Sequence, residues 1–266
     1  MCRERCEFFF LWGHLLPLIV LEGFRLFLII SHHREPLSAW EAVVEAAKYG
    51  VVTWTLLLSA LVLFLRGAFA PSILMLFWNS AGSLYPLITY VIDHSCVRHL
   101  TNNVNFYVYL LVLDVIRLLN VPRLLGVSDL TLEHPPRVFE ISEATPQNAD
   151  SYIFALLFSI LLAGVAHLLY CKPPEAGARG TSGLVAAFFG VFLANLPPLF
   201  GNFVAAAIAA HLIGNIGSDG EDSHEIHFVG FVAGYLLEGK TFVFQFEISL
   251  GFLLAFCLAK LNLNAE

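Results

Sequence analysis

The sequence predicts an all-α polytopic membrane protein. Three observations carry that expectation. The chain of 266 residues is 58% hydrophobic and only 13% charged, against roughly 25% charged in a soluble domain. Its mean hydropathy is +0.75. Apolar runs near the length of about 20 residues that a spanning helix needs recur along the whole chain. The longest polar stretch, 119–150, is too poor in periodic apolar residues to hold a core of its own. One bundle is therefore expected, with no separate soluble domain.

Charge and cysteine usage exclude other classes. Fourteen Lys and Arg stand against 21 Asp and Glu, a formal net charge of −7. No basic block or aromatic–basic interleaving is present, so no nucleic-acid partner is expected. The 5 cysteines, at 2, 6, 96, 171 and 257, are odd in number and match no disulfide framework or CxxC spacing. Arg3 and Arg5 precede an apolar run with no small-x-small cleavage site after it. That start reads as a retained anchor.

The predicted spans are 8–30, 49–65, 99–118, 151–170, 182–199, 202–217, 227–243 and 244–259. The first carries Glu22 and Arg25, which suggests a tilted or partly interfacial helix. The fifth and sixth are joined by the turn-forming stretch from Pro197 to Asn202. The last two share a boundary near Glu238, Gly239 and Lys240. Residues 69–92 are apolar but hold Asn79, Ser80, Gly82, Ser83 and Pro86 in their middle. Irregular backbone at membrane depth must be buried in protein or line a cavity. A partly immersed loop is expected there, with a ninth span as the alternative. Lys and Arg fall on both sides of this arrangement, so the positive-inside rule assigns no orientation.

Two spans open on a stripe of small residues. In the stretch GARGTSGLVAAFFG a packing seam is expected from Gly180, Gly183, Ala187 and Gly190, the last three on one helix face, with Ser182 at its head. In HFVGFVAG, His227 is followed by Gly230 and Gly234. Such stripes let neighbouring backbones approach closely. One span separates the two, so they run in the same direction. Packed stripe to stripe, they bring Ser182 and His227 to one level, as a histidine base needs to take a proton from a serine. The span 99–118 also runs parallel to them and opens HLTNN, with His99 and Asn103 on one face. Two side-chain donors there, with the Ser182 N–H, suit an oxyanion. Alone, each stripe reads as packing and each histidine as a hydrogen-bonded core residue. Three polar helix starts at one level single out chemistry.

These residues resemble the rhomboid family of intramembrane serine proteases. Gly180, Ser182, Gly183, Ala187 and Gly190 match its GxSG motif and the small residues that follow. His227, Gly230 and Gly234 match its HxxGxxxG, and His99 and Asn103 its HxxxN, with His94 at a familiar offset. The stretch LYPLITYVIDHSCVRHL looks like the end of the family's first loop, although Tyr85-Pro86 stand where the family has Trp-Arg. The resemblance covers about 49–238. It implies a six-helix core over 49–240, flanked by an N-terminal segment and linker over 1–48 and a C-terminal helix over 241–266. It implies Ser182 as nucleophile and His227 as general base, with no acidic third member. His99, Asn103 and the Ser182 N–H would form the oxyanion hole, and 218–226 a mobile cap. The implied partners are transmembrane protein substrates and the lipid bilayer, with no cofactor.

Two other readings differ in class. One is a catalytically silent rhomboid-like protein that binds membrane clients; loss of the serine or histidine would be its mark, and both are present. The other is a metalloenzyme. His224-Glu225-Ile226-His227 falls one residue short of HExxH, so the two histidines do not stand at the i, i+4 spacing of that motif. No metal is expected. His224 reads as a solvated cap residue and His211 as a buried hydrogen-bonding one.

Overall fold

The computed structural model describes residues 2–31, 36–68, 90–92, 94, 96–119, 149–170, 180–196, 198–216, 224–238, 240 and 242–263. Among them every regular element is helical. In chain order these are α1 (Cys2–Ser31), α2 (Ala39–Tyr49), α3 (Val51–Ala68), α4 (Val97–Leu118), α5 (Ala149–Tyr170), α6 (Ser182–Ala194), α7 (Pro198–Gly214), α8 (His224–Leu237) and α9 (Phe242–Leu263). A 3-10 turn, Tyr90–Ile92, precedes α4. The loop expected at 69–92 otherwise lies outside the described residues.

Leu11–Ser31 and Ala149–His167 are long and apolar enough to cross a membrane, and α2 with α3 adds a third if that bent pair is one span. Ser38 starts α2 with a reciprocal cap: the Glu41 N–H donates to Ser38 Oγ at 3.3 Å and the Ser38 N–H to Glu41 Oε2 at 2.8 Å. The chain then turns by 69° into α3. The turn falls at Gly50, where a Cβ would lie 2.6 Å from the Trp54 indole nitrogen. Large apolar side chains face outward on α1, α7 and α9, including Phe27, Phe203 and Leu254. An exterior this apolar suits lipid better than water.

The helix from Ser182 ends sooner than the predicted span, at Ala194. Its length of 13 residues is about 20 Å, short of the roughly 30 Å hydrocarbon core. Asn195 ends it, donating from Nδ2 to Val191 O at 2.9 Å and to Glu238 Oε1 at 3.1 Å. Pro198 then opens α7, as suits a residue without an N–H.

The interior is organised by α6 against α8. A Cβ built at Gly230 would stand 2.6 Å from Gly183 O, and one at Gly234 would collide with Ala187 O. Gly190 likewise lies on the Phe231 carbonyl. The pairs 183 with 230 and 187 with 234 advance together, so the helices are parallel. Helix α4 is parallel to both. Its head meets Thr181 through His94, while Tyr107 stacks edge-on with Phe188 at 5.0 Å and Phe106 with Phe189 at 5.8 Å. Helix α5 runs the other way: Gln245 Nε2 bridges Ser151 O at its start and Leu237 O at the end of α8. The far end of α5 reaches the start of α8, where His167 meets Glu225.

The expectation of a partly interfacial first helix is corrected. Glu22 and Arg25 are buried. Arg25 Nε donates to Asp114 Oδ2 at 2.6 Å, and Arg25 Nη1 to Glu22 Oε1 at 3.1 Å and to Tyr49 O at 3.2 Å. Arg117 Nε completes the set, donating to Asp114 Oδ1 at 2.8 Å. The Arg25 guanidinium also lies 5.3 Å from the centre of the Phe188 ring, in cation–π range. These charges are tolerated because each is paired inside the protein.

The glycines of the seam predict a sharp contrast in mutant stability. Gly234→Ala should lower stability in detergent by about 1–3 kcal/mol, because backbone must move to admit the methyl. Gly13→Ala, where no atom lies within 4 Å of the added carbon, should cost nothing. Thermal unfolding of the two purified variants checks this.

Candidate active site

Four helix ends converge where α4, α6 and α8 begin and α5 finishes. Gly180 holds the turn before α6. Its φ of +113° is one that L side chains rarely adopt. Its N–H donates to Tyr90 O at 2.9 Å, tying the turn to the stretch ahead of α4. A Cβ on it would lie 2.9 Å from His99 Cε1 and 3.3 Å from His94 Nε2. Gly180 therefore lies outside the α6–α8 seam, a correction to the expected stripe. Its missing side chain makes room for two imidazoles.

His94 is the hub of this end. The Thr181 N–H donates to its Nε2 at 3.2 Å. A backbone N–H can only donate, so Nε2 accepts and the ring proton sits on Nδ1. Asn103 Nδ2 lies 3.1 Å from the same Nε2, and Thr181 Oγ1 3.2 Å from it. Burial, and then the neighbouring His99, push the His94 pKa down to about 3. The ring is neutral at physiological pH and serves as an acceptor. Asn103 has two amide hydrogens. One directed at His94 leaves the other for a ligand. The His99 ring stands edge-on to His94, centroids 5.2 Å apart.

Ser182 is the first residue of α6. Helix geometry leaves its N–H without an intrahelical acceptor and at the positive end of the helix dipole. The first cross-boundary bond of the helix is Val185 N–H to Thr181 O at 2.9 Å. On α8, His227 lies in the first turn, near His224, with ring centroids 6.1 Å apart. The pairing of 183 with 230 puts Ser182 and His227 at one level. Ile226, and not His227, fills the head of the seam, its Cγ2 meeting the position of a Gly183 Cβ at 2.6 Å. His227 is left at the rim. Ser182, His99 and His227 are each partly exposed, whereas Asn103 and His94 are buried.

Every predicted site residue thus lies at this end or along the seam that builds it. Two expectations are corrected. His211 is exposed, because it falls on the outer side of the loosely covered helix α7. Residues 224–226, expected in a cap, are the first turn of α8; the rest of that cap, 218–223, lies outside the described residues. Sequence reasoning missed Thr181, whose backbone engages His94, and the pairing of His167 Nδ1 with Glu225 Oε1 at 2.8 Å. Only the acidic residue two places before His227 signalled the latter. No group of His, Cys, Asp and Glu capable of holding a metal occurs among the described residues.

Compared with known proteins, the chain matches no family model, no curated protein and no solved structure.

The turn at Gly180 generates a prediction. Gly180→Ala combines an unfavourable φ, worth about 1–3 kcal/mol, with displacement of His99. Thermal unfolding in detergent should show that loss of stability relative to wild type while helix content by circular dichroism stays unchanged.

Proposed function

We propose that the chain is an intramembrane serine protease of the rhomboid type, hydrolysing peptide bonds in or beside transmembrane segments of other membrane proteins. One observation carries the reading. Glycine-to-carbonyl contact between two parallel helices supports Ser182 and His227 at one level, beside His94, His99 and Asn103. In this reading α3 to α8 form the six-helix core, with α1 and α9 as additions in a multi-pass membrane protein.

The chemistry follows from the groups. His227 takes the proton from Ser182 Oγ as that oxygen attacks the scissile carbonyl. The Ser182 N–H, the free amide hydrogen of Asn103 and the His99 ring donate to the oxyanion that develops. His227 then returns its proton to the leaving amine, and water releases the acyl group by the reverse path. No acidic side chain need touch Ser182. The partly exposed rim gives water a route to the acyl-enzyme, and the apolar outer face suits a substrate helix arriving through lipid.

Labelling of detergent-solubilised protein by a fluorophosphonate tests this. Wild type should label and Ser182→Ala should not; equal labelling ends the proposal. Asn103→Ala should label about 10²–10³-fold more slowly, as expected for loss of one oxyanion donor. A client-binding protein without activity would instead leave wild type unlabelled.

A further inference from the structure

Helix α2 has no part in the chemistry above, and its side chains divide into three faces. Ala46 and Tyr49 pack inward, the Tyr49 ring 5.1 Å from that of Tyr152. Glu41, Glu45 and Lys48 stand at i, i+4 and i+7 and form a charged face. Trp40, Val43 and Ala47, at i, i+3 and i+7, form an apolar face that is open, with Trp40 74% and Val43 58% exposed. The next helix shows what covers it. Helix α3 has 18 residues, about 27 Å, and so nearly crosses the roughly 30 Å hydrocarbon core without help from α2. The bend between them is 69°. With α3 crossing the bilayer, α2 lies closer to the membrane plane than to its normal. Trp54, in the first turn of α3, folds back over the bend, its indole nitrogen 2.6 Å from where a Gly50 Cβ would stand. Val43, Ala46, Ala47 and Gly50 share a side at i, i+3, i+4 and i+7, so that indole lies on the apolar side of α2 and away from its charges. From there Trp54, Leu58, Leu61 and Leu65 run down α3 as an exposed stripe. The open face of α2 is continuous with the outward apolar side of α3.

We infer that α2 is an interfacial helix: it lies in the headgroup region of the bilayer, with Trp40, Val43 and Ala47 against the acyl chains and Glu41, Glu45 and Lys48 toward water. Trp40 and Trp54 suit that level, because an indole has an apolar body and one polar N–H. The reciprocal cap at Ser38 satisfies donors at the helix start without a neighbouring element. Two acidic groups and one basic group on the polar face offer no attraction to anionic lipid, so the apolar face carries the contact and zwitterionic lipid suffices. Helix α5 begins beside α2, where Lys48 Nζ meets Asp150 Oδ1 at 2.7 Å, and finishes at the candidate site. Helix α2 therefore sets the depth of the bundle from the membrane face opposite that site. The inference does not rest on Ser182 and His227 being catalytic.

Tryptophan fluorescence of the full chain in nanodiscs of zwitterionic lipid tests this. The signal of wild type minus that of Trp40→Phe isolates Trp40. Lipid brominated near the headgroup end of its chains should quench that signal about twofold more than lipid brominated near the chain ends, as a face at the headgroup–acyl boundary requires. Aqueous iodide should quench it several-fold less than it quenches free tryptophan. Trp40→Phe combined with Val43→Trp moves the indole one turn along the same face and should report the same depth, so the result does not hang on a single substitution. Iodide quenching close to that of free tryptophan, with none from either lipid, puts the face in water and overturns the inference. Stronger quenching by the deep label makes α2 part of the span and overturns it as well. Protection from iodide and from both lipids assigns the face to a protein partner, with the same consequence.

Discussion

The structure depends on one constraint: two helices must approach until the backbone of one touches the backbone of the other. Gly230 on Gly183 O, Gly234 on Ala187 O and Gly190 on Phe231 O leave no space for a methyl group. In lipid no hydrophobic gain drives helices together, so close backbone packing is the available attraction. The same contact fixes register. Because the pairs advance in step, the heads of α6 and α8 are level, and whatever chemistry stands at those heads is brought together. A protein that needed only a stable bundle could fill this seam with larger side chains at the usual spacing. The tight seam fixes the level of Ser182 against that of His227, which the proposed proton transfer would require.

A second constraint operates toward the other end of the same helices. Arg25 reaches from α1 to Asp114 on α4, to the Tyr49 carbonyl at the α2–α3 bend and over the Phe188 ring on α6. The first helix is thereby tied to the core through charges that cannot separate without leaving one of them unpaired in a buried place. Removal of one partner of such a pair typically costs about 3–5 kcal/mol. Phe188 directly follows Ala187 of the seam, and Tyr107 packs against it. The ion pairs and the glycine seam thus meet at one aromatic ring. Helix α1 thus belongs to the packed body of the bundle.

Much of this was legible in the sequence. The stripes at 183, 187, 190 and at 230, 234 announce a close helix contact, and equal parity of the spans announces its parallel sense. Ser182, His227, His99 and Asn103 follow from their places at helix starts. What was not legible depends on partners distant in sequence. Glu22 with Arg25 and Asp114 with Arg117 are charged pairs at the same i, i+3 spacing in two apolar segments. That matched spacing was the available signal for a buried network, and hydropathy alone reads it as an interfacial helix. The backbone bond from Thr181 to His94 has no signature in side-chain pattern. The positive φ at Gly180 puts that glycine before the helix, whereas spacing alone counts it into the stripe. His211 looked internal because its neighbours are apolar, yet in lipid an apolar face is the outer one.

The central claim is that the Ser182 hydroxyl and the His227 imidazole form one reactive unit beside Asn103 and His99. An experimental structure of the protein inactivated by a fluorophosphonate tests it most directly. The account predicts phosphorus bonded to Ser182 Oγ, its oxygen roughly 2.7–3.1 Å from the Ser182 N–H and the Asn103 amide, and the His227 ring on the opposite side within reach of Oγ. An adduct on another residue, or His227 turned to a different face of the bundle, would contradict it.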